Sequence, residues 1–179
     1  MRIYFTGSHS SGKSTLARYT SEKYKLPFIP EVARQILAEK ELQIEALRAD
    51  ISLVNEYQRE IFFRQLKEEA KYKDFVSDRG VDCLCYAGQH STILSELVET
   101  KELKDYVVSL KNKDVKIFFV RPSKATLKAD GVRENIFWDG IIAIDAMCKM
   151  LLEMYSIPYV QINTDSMQER TRLIDNILG

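Results

Sequence analysis

Residues Met1-Arg-Ile-Tyr-Phe-Thr6, a short apolar run, lead directly into Gly7-Ser-His-Ser-Ser-Gly12-Lys13-Ser14-Thr15. The second segment is a complete G-x-x-x-x-G-K-[ST] loop between a candidate strand and a candidate helix, the context that separates a phosphate-binding loop from an ordinary glycine turn. Gly7 and Gly12 let the backbone curl so that successive N–H groups, from Ser8, His9, Ser10 and Ser11 on to Thr15, point at phosphate oxygens. The helix that follows adds its positive N-terminal end. Lys13 supplies a mobile cation for the terminal phosphates, and Ser14 a hydroxyl for the magnesium ion that bridges them.

Around this loop the chain has the character of a compact soluble domain. Its 179 residues suit one domain, 1–179, and 45% hydrophobic with 29% charged residues is enough apolar material for a core. The 26 basic and 26 acidic side chains cancel, so no global field favours nucleic acid or an anionic membrane surface, although a local basic groove stays open. The N-terminal apolar run is too short for a signal peptide, and no stretch approaches the roughly 18 residues that span a bilayer. A cytoplasmic protein without membrane contact is expected. Cys83, Cys85 and Cys148 form neither a disulfide framework nor a zinc spacing, and read as small buried side chains of a reducing compartment. His9 and His90 lie far apart in sequence and belong to no ligand constellation.

Short apolar runs alternate with longer helical patterns, which predicts an α/β fold with a parallel sheet covered on both faces. The strand candidates are Arg2 to Thr6, Leu26 to Ile29, Phe75 to Ser77, Val115 to Val120 and Pro158 to Ile162. Val54, Tyr57, Ile61, Phe62, Leu66 and Ala70 recur at spacings of mostly three and four, giving one apolar stripe on a long helix. Phe137, Ile141, Ile144, Cys148, Leu151 and Tyr155 form a second such stripe. Ser166 with Glu169 reads as a capping box opening a last helix that runs to about Leu178.

Phosphoryl chemistry asks for carboxylates and guanidiniums at the carboxyl ends of strands, where α/β sheets bind their ligands. Glu31 follows Pro27-Phe-Ile-Pro30 and has Arg34 one helical turn on. It is suited to orient an acceptor hydroxyl or take its proton, and equally to sit as an N-terminal acid favoured by the helix dipole. Asp78-Arg79-Gly80 follows Phe75-Val-Ser77. Asp78 can hold magnesium through water or act as base, and Arg79 can grip an acceptor or a phosphate oxygen; a local salt bridge capping the next helix is the alternative, and the place at a strand end favours the site role. Arg59 and Arg64 lie off the apolar stripe of the long helix, where they can face an acceptor. From Arg121 to Arg133 the chain turns cation-rich, with Lys124 and Lys128 between, so a short lid over about 121–135 can close on the nucleotide.

Taken together, the phosphate loop, Ile29-Pro-Glu31-Val-Ala-Arg34, Phe75-Val-Ser-Asp78-Arg79-Gly80 and Lys128-Ala-Asp130-Gly131-Val-Arg133 resemble the phosphate-loop kinases related to the ribosylnicotinamide kinase domain of the bacterial NAD-biosynthesis regulator. The resemblance runs through nearly the whole chain. It implies a three-layer fold with a five-stranded parallel sheet in the order 2-3-1-4-5. It also implies transfer of the ATP γ-phosphoryl group, with magnesium, to a hydroxyl or phosphate of a nucleoside- or nucleotide-type acceptor. Lys13 and Ser14 match the phosphate and magnesium positions, and Arg133 the lid arginine; Arg121, from the cation-rich segment, is expected to contact the nucleotide. Glu31 looks like the carboxylate after the second strand, and Asp78-Arg79 like the pair after the third. The acceptor does not carry over: some relatives act on hydroxymethylated pyrimidines within DNA. An NTPase switch module is the reading from another class, and it lacks an Asn-Lys-x-Asp guanine signature here.

Overall fold

The computed structural model describes residues 1–41, 43–124 and 138–179, the side chains of 44 and 45 excepted. In chain order the elements are β1 (Arg2–Thr6), α1 (Lys13–Tyr24), β2 (Phe28–Ile29), α2 (Val32–Glu39), α3 (Ile44–Arg48), α4 (Ile51–Glu69), β3 (Phe75–Ser77) and α5 (Asp82–His90). They continue through α6 (Leu94–Glu99), α7 (Lys101–Leu110), β4 (Val115–Val120), α8 (Trp138–Met154), β5 (Val160–Ile162) and α9 (Met167–Leu178). The five strands form one sheet ordered β2-β3-β1-β4-β5, with every pairing parallel. This is the order the resemblance implies.

Strand periodicity sorts the core into two layers. Ile3 and Phe5 of β1, Val76 of β3 and Phe118 and Val120 of β4 point to one side, where they meet Leu16 and Ala17 of α1 and Ile174 of α9. Tyr4, Phe75, Ile117 and Phe119 point to the other, against α4, α5, α7 and α8. A sheet buried on both faces uses apolar residues at consecutive positions, which is why these strands read as unbroken apolar runs. Two strands start later than the sequence pattern suggests, β2 at Phe28 and β5 at Val160. Proline explains both, because Pro27 and Pro158 have no N–H for the ladder; Pro27 only accepts, from the Val76 N–H at 2.8 Å.

Caps mark the helix starts. Asp50 accepts from the N–H groups of Ser52 and Leu53 at the head of α4, and Thr100 from Leu103 at the head of α7. Ser166 accepts from the Glu169 N–H at 3.4 Å, but the Glu169 carboxylate takes the Thr164 hydroxyl, so only half of the expected capping box forms. Among the described residues no helix is long and apolar enough to cross a membrane.

One buried acid sits under the sheet. Glu69, at the end of α4 and 7% exposed, accepts the hydroxyls of Tyr4 at 2.6 Å and Tyr106 at 3.1 Å and the Gln65 amide at 2.8 Å. Burial pushes its pKa up to about 7, against the pull of those three donors. The folded protein therefore keeps a proton that the unfolded chain, with a carboxyl near 4.5, has already released. Raising the pH through that window weakens the fold, and the loss levels off above about 7. Urea unfolding should give a midpoint that falls between about pH 5 and about pH 8. Glu69→Gln should flatten that slope, and because only the difference between the two profiles is used, titration of His90 drops out. Parallel profiles would show that Glu69 does not titrate in this range.

Candidate active site

The loop after β1 is shaped by close backbone approach. Gly7 has φ 134°, and a Cβ there would stand 2.5 Å from the carbonyl oxygen of Val120, so the loop begins against the end of β4 with no room for a side chain. Ser10 at φ 57° and Gly12 at φ 91° then turn the backbone into a concave run that ends at α1. Lys13, 4% exposed, folds back across the run and donates to the Ser8 carbonyl at 2.5 Å. Burial lowers its pKa to about 8, helped by the positive charge of Arg79 and opposed by Asp82, Asp78 and Glu31.

Three strand ends converge opposite this loop. Arg79, after β3, donates to Glu31 at 2.7 Å and to Asp82 at 2.8 Å, and stacks its guanidinium 5.1 Å from the centre of the Tyr86 ring. Asp82 is fully buried and also accepts the Thr6 hydroxyl at 2.9 Å and the Gly80 N–H at 2.7 Å. Arg79 thus pairs with Glu31 and Asp82 instead of closing a salt bridge with its neighbour Asp78. Arg34 binds the other oxygen of Glu31 at 2.9 Å. Burial alone would raise the Glu31 pKa, yet Arg79, Arg34 and Lys13 hold it down at about 2.

Asp78 is 4% exposed. Burial raises its pKa, while Arg79, Lys13 and a hydrogen bond with Ser14 work the other way. Its Oδ1 is buried with no hydrogen-bond partner. A buried carboxylate with one oxygen unpartnered, hydrogen-bonded to Ser14 elsewhere on the group, fits a hard divalent cation, for which oxygen ligands are required.

Beside Arg79 opens a cavity of about 200 Å³ lined by α2, α3, α4, α5 and the phosphate loop. Its walls are mostly apolar: Val32, Ala33, Val54 and Ile61, with the rings of Tyr57 and Tyr86. Polar and charged groups enter from His9, Arg48, Gln58, Gln65, Arg79 and His90. Gln58 lies in the lining with its buried Oε1 unpartnered, and Gln65 is fixed by bonds from its amide to Glu69 and to Ser77 at 3.0 Å. Tyr86 accepts the His9 N–H at 2.9 Å, which ties the cavity wall to the phosphate loop.

The structure therefore brings Lys13, Glu31, Arg34, Asp78 and Arg79 to one cluster. It does not bring Arg59 or Arg64 to the cavity: Arg59 grips Glu96 of α6 and Arg64 binds Glu39 and Glu60. Arg121 makes a two-point pair with the buried Asp145 of α8, at 3.0 and 2.8 Å, and lies over the Phe119 ring. Of the candidate lid, only residues 121–124 are described, and Arg133 lies outside the described residues. Asp82, Tyr86, Gln58 and Arg170 were not singled out by sequence reasoning. A signal existed for Gln58 and Arg170, whereas Tyr86 and Asp82 are known only from the fold. Gln58 sits inside the apolar stripe of α4, and Arg170 lies four residues before the core residue Ile174.

A family model described as an AAA domain matches residues 2–170. No curated protein matches the sequence. Among solved structures, deoxyadenosine kinase from M. mycoides with bound dATP is similar with a TM-score of 0.68 and 17% identity, over 99% of this chain and 99% of that one. NadR protein in complex with NR gives a TM-score of 0.76 and 16% identity over 98% of this chain, which spans 50% of that one. Shikimate kinase from Acinetobacter baumannii in complex with shikimate gives 0.57 and 14%, over 99% of this chain and 90% of that one. At such identities the likeness is one of fold, shared here with kinases whose acceptors differ. With the family model spanning the loop, the sheet and the first turn of α9, the chain belongs to the AAA domain family.

Proposed function

We propose that residues 1–179 act as one ATP-dependent phosphotransferase domain that transfers the γ-phosphoryl group to a hydroxyl of a neutral, nucleoside-like acceptor. The observation that carries this reading is the aromatic-walled, largely apolar cavity next to Arg79 and the phosphate loop. It is suited to a planar uncharged group flanked by Tyr57 and Tyr86, with Gln58 offering an unpaired carbonyl to a donor on its edge. A phosphorylated acceptor is less well served. The charge of Arg79 is already matched by Glu31 and Asp82, and Arg59 and Arg64 are held by carboxylates away from the cavity, so a phosphate on the acceptor would have to draw on Arg48, the other arginine of the lining.

In this reading the loop from Gly7 to Thr15 cradles the donor phosphates, and Lys13 turns from the Ser8 carbonyl to the terminal phosphates. Ser14 and Asp78 would hold magnesium, which neutralises charge on the bridging oxygens when bound. Glu31, kept ionised, accepts the hydrogen bond of the attacking hydroxyl and orients it; its low pKa makes it a weak base. That suffices for a loose transition state, in which the bond to the ADP leaving group is largely broken before the hydroxyl proton passes to Glu31 and on to solvent. Arg79 holds Glu31 in place. Arg121 and Arg133 are proposed as donor-side residues, Arg121 being held by Asp145 and Arg133 lying outside the described residues.

The direct test is radiolabel transfer from γ-labelled ATP with magnesium to a panel of nucleosides, their 5′-monophosphates, ribosylnicotinamide, shikimate and a duplex containing hydroxymethyluracil. Transfer to one or more nucleosides, lost in Lys13→Ala, is expected. Transfer confined to monophosphates or to the duplex, or fast acceptor-independent hydrolysis, would overturn the reading.

Glu31→Gln and Asp78→Asn should then separate. The first should lower kcat by about 10² or more with little change in the KM for ATP. The second should raise the magnesium concentration needed for half-maximal rate. A wild-type rate in Glu31→Gln would remove Glu31 from the acceptor site.

A further inference from the structure

Arg170 of α9 is among the largest fully buried side chains of the described residues, at 1% exposure. Its Nη1 donates to the Ser11 carbonyl inside the phosphate loop at 2.5 Å, and its Nε to the Thr164 carbonyl, in the turn after β5, at 2.6 Å. Nη2 is buried and has no partner. Both partners are neutral carbonyls. Among the described residues no carboxylate pairs with this guanidinium, and only the more distant charge of Asp165 favours its protonation. Burial pulls its pKa down. A cation in that position is costly unless a negative charge arrives to balance it.

The balancing charge follows from what Arg170 holds. The Ser11 carbonyl and the Gly12 N–H belong to one planar peptide, so fixing the oxygen fixes the direction of the N–H. A charge-assisted bond to the oxygen also polarises the peptide and strengthens that N–H as a donor. The guanidinium lies against the loop itself, with Nη1 3.0 Å from the point a Gly12 Cβ would occupy. No other residue at this position could reach both carbonyls equally well, because the two bonds use separate nitrogens of one rigid fork.

We propose that Arg170 is a positioning residue for the donor nucleotide: it pre-forms the Ser11–Gly12 peptide for phosphate binding and supplies from behind the loop a positive charge whose counter-charge is the polyphosphate. The inference rests on the reading of the loop as the donor site. It makes the last helix part of the donor machinery, with one side chain joining the phosphate loop to the turn after β5.

The test compares the full-length wild type with Arg170→Lys and Arg170→Met. Calorimetric titration with inorganic tripolyphosphate is paired with steady-state kinetics using ATP and an accepted nucleoside. Arg170→Met should weaken tripolyphosphate binding and raise the KM for ATP by about ten-fold or more, the size expected for a lost charged hydrogen bond. Arg170→Lys, which keeps the charge but reaches one carbonyl, should fall between. The acceptor KM should stay within about two-fold of wild type, a split that general loosening of the fold would not produce. Tripolyphosphate affinity equal to wild type in both variants would overturn the proposal, as would equal shifts in both KM values. Should Arg170→Met not fold, Arg170→Lys against wild type decides alone. Failure of the wild type itself to bind tripolyphosphate is a different result, and would overturn the donor-site reading together with this inference.

Discussion

Everything around the cleft hangs on one guanidinium held between two carboxylates. Arg79 links Glu31, at the end of β2, to Asp82, at the start of α5, and rests on the ring of Tyr86. Asp82 in turn holds the Thr6 hydroxyl at the end of β1 and the Gly80 N–H in the turn after β3. Three strand ends and the phosphate loop are thereby fixed relative to one another by side chains that are almost wholly buried. Such a network is stable only when complete. Removing one member strands a buried charge, at a cost of about 3–5 kcal/mol.

The same network divides the ionisable groups by environment. Glu31 faces three cations and is held at about 2, whereas Asp78, its neighbour across the cleft, is pushed upward by burial. Two carboxylates whose environments drive them apart are suited to different tasks. Glu31 suits hydroxyl orientation, and Asp78, joined to Ser14, suits a cation. Lys13, lowered to about 8 by burial and by Arg79, is a cation held at the edge of neutrality until an anion joins it. Glu69 repeats the theme away from the cleft, a carboxyl that burial favours in its protonated form under the wall of the cavity.

How much of this is legible in the sequence depends on the range of the interaction. The Gly7 to Thr15 loop and the apolar strand runs are local patterns, and they locate the sheet and the crevice; the strand order comes from the family resemblance. Proline trimmed β2 and β5, an effect that Pro27 and Pro158 announce once the missing N–H is considered. Pairings such as Arg79 with Glu31, 48 residues apart, follow no period and become visible only when the strands are side by side. The same holds for Arg59 and Arg64, whose positions off the apolar stripe are real but whose carboxylate partners sit on other turns and elements. Gln58 and Arg170 are the instructive middle case. Each is a polar residue at a core position of its helix, and a polar residue there signals a buried partner or a ligand.

The central claim is that an uncharged acceptor lies in the cavity with its hydroxyl at Glu31. A crystal structure of the ternary complex with a non-hydrolysable ATP analogue and the accepted nucleoside tests it most directly. The account predicts the acceptor hydroxyl within about 3 Å of the Glu31 carboxylate, and its planar group between Tyr57 and Tyr86. An acceptor bound outside this cavity, or one whose hydroxyl lies against Asp78 and away from Glu31, would contradict it.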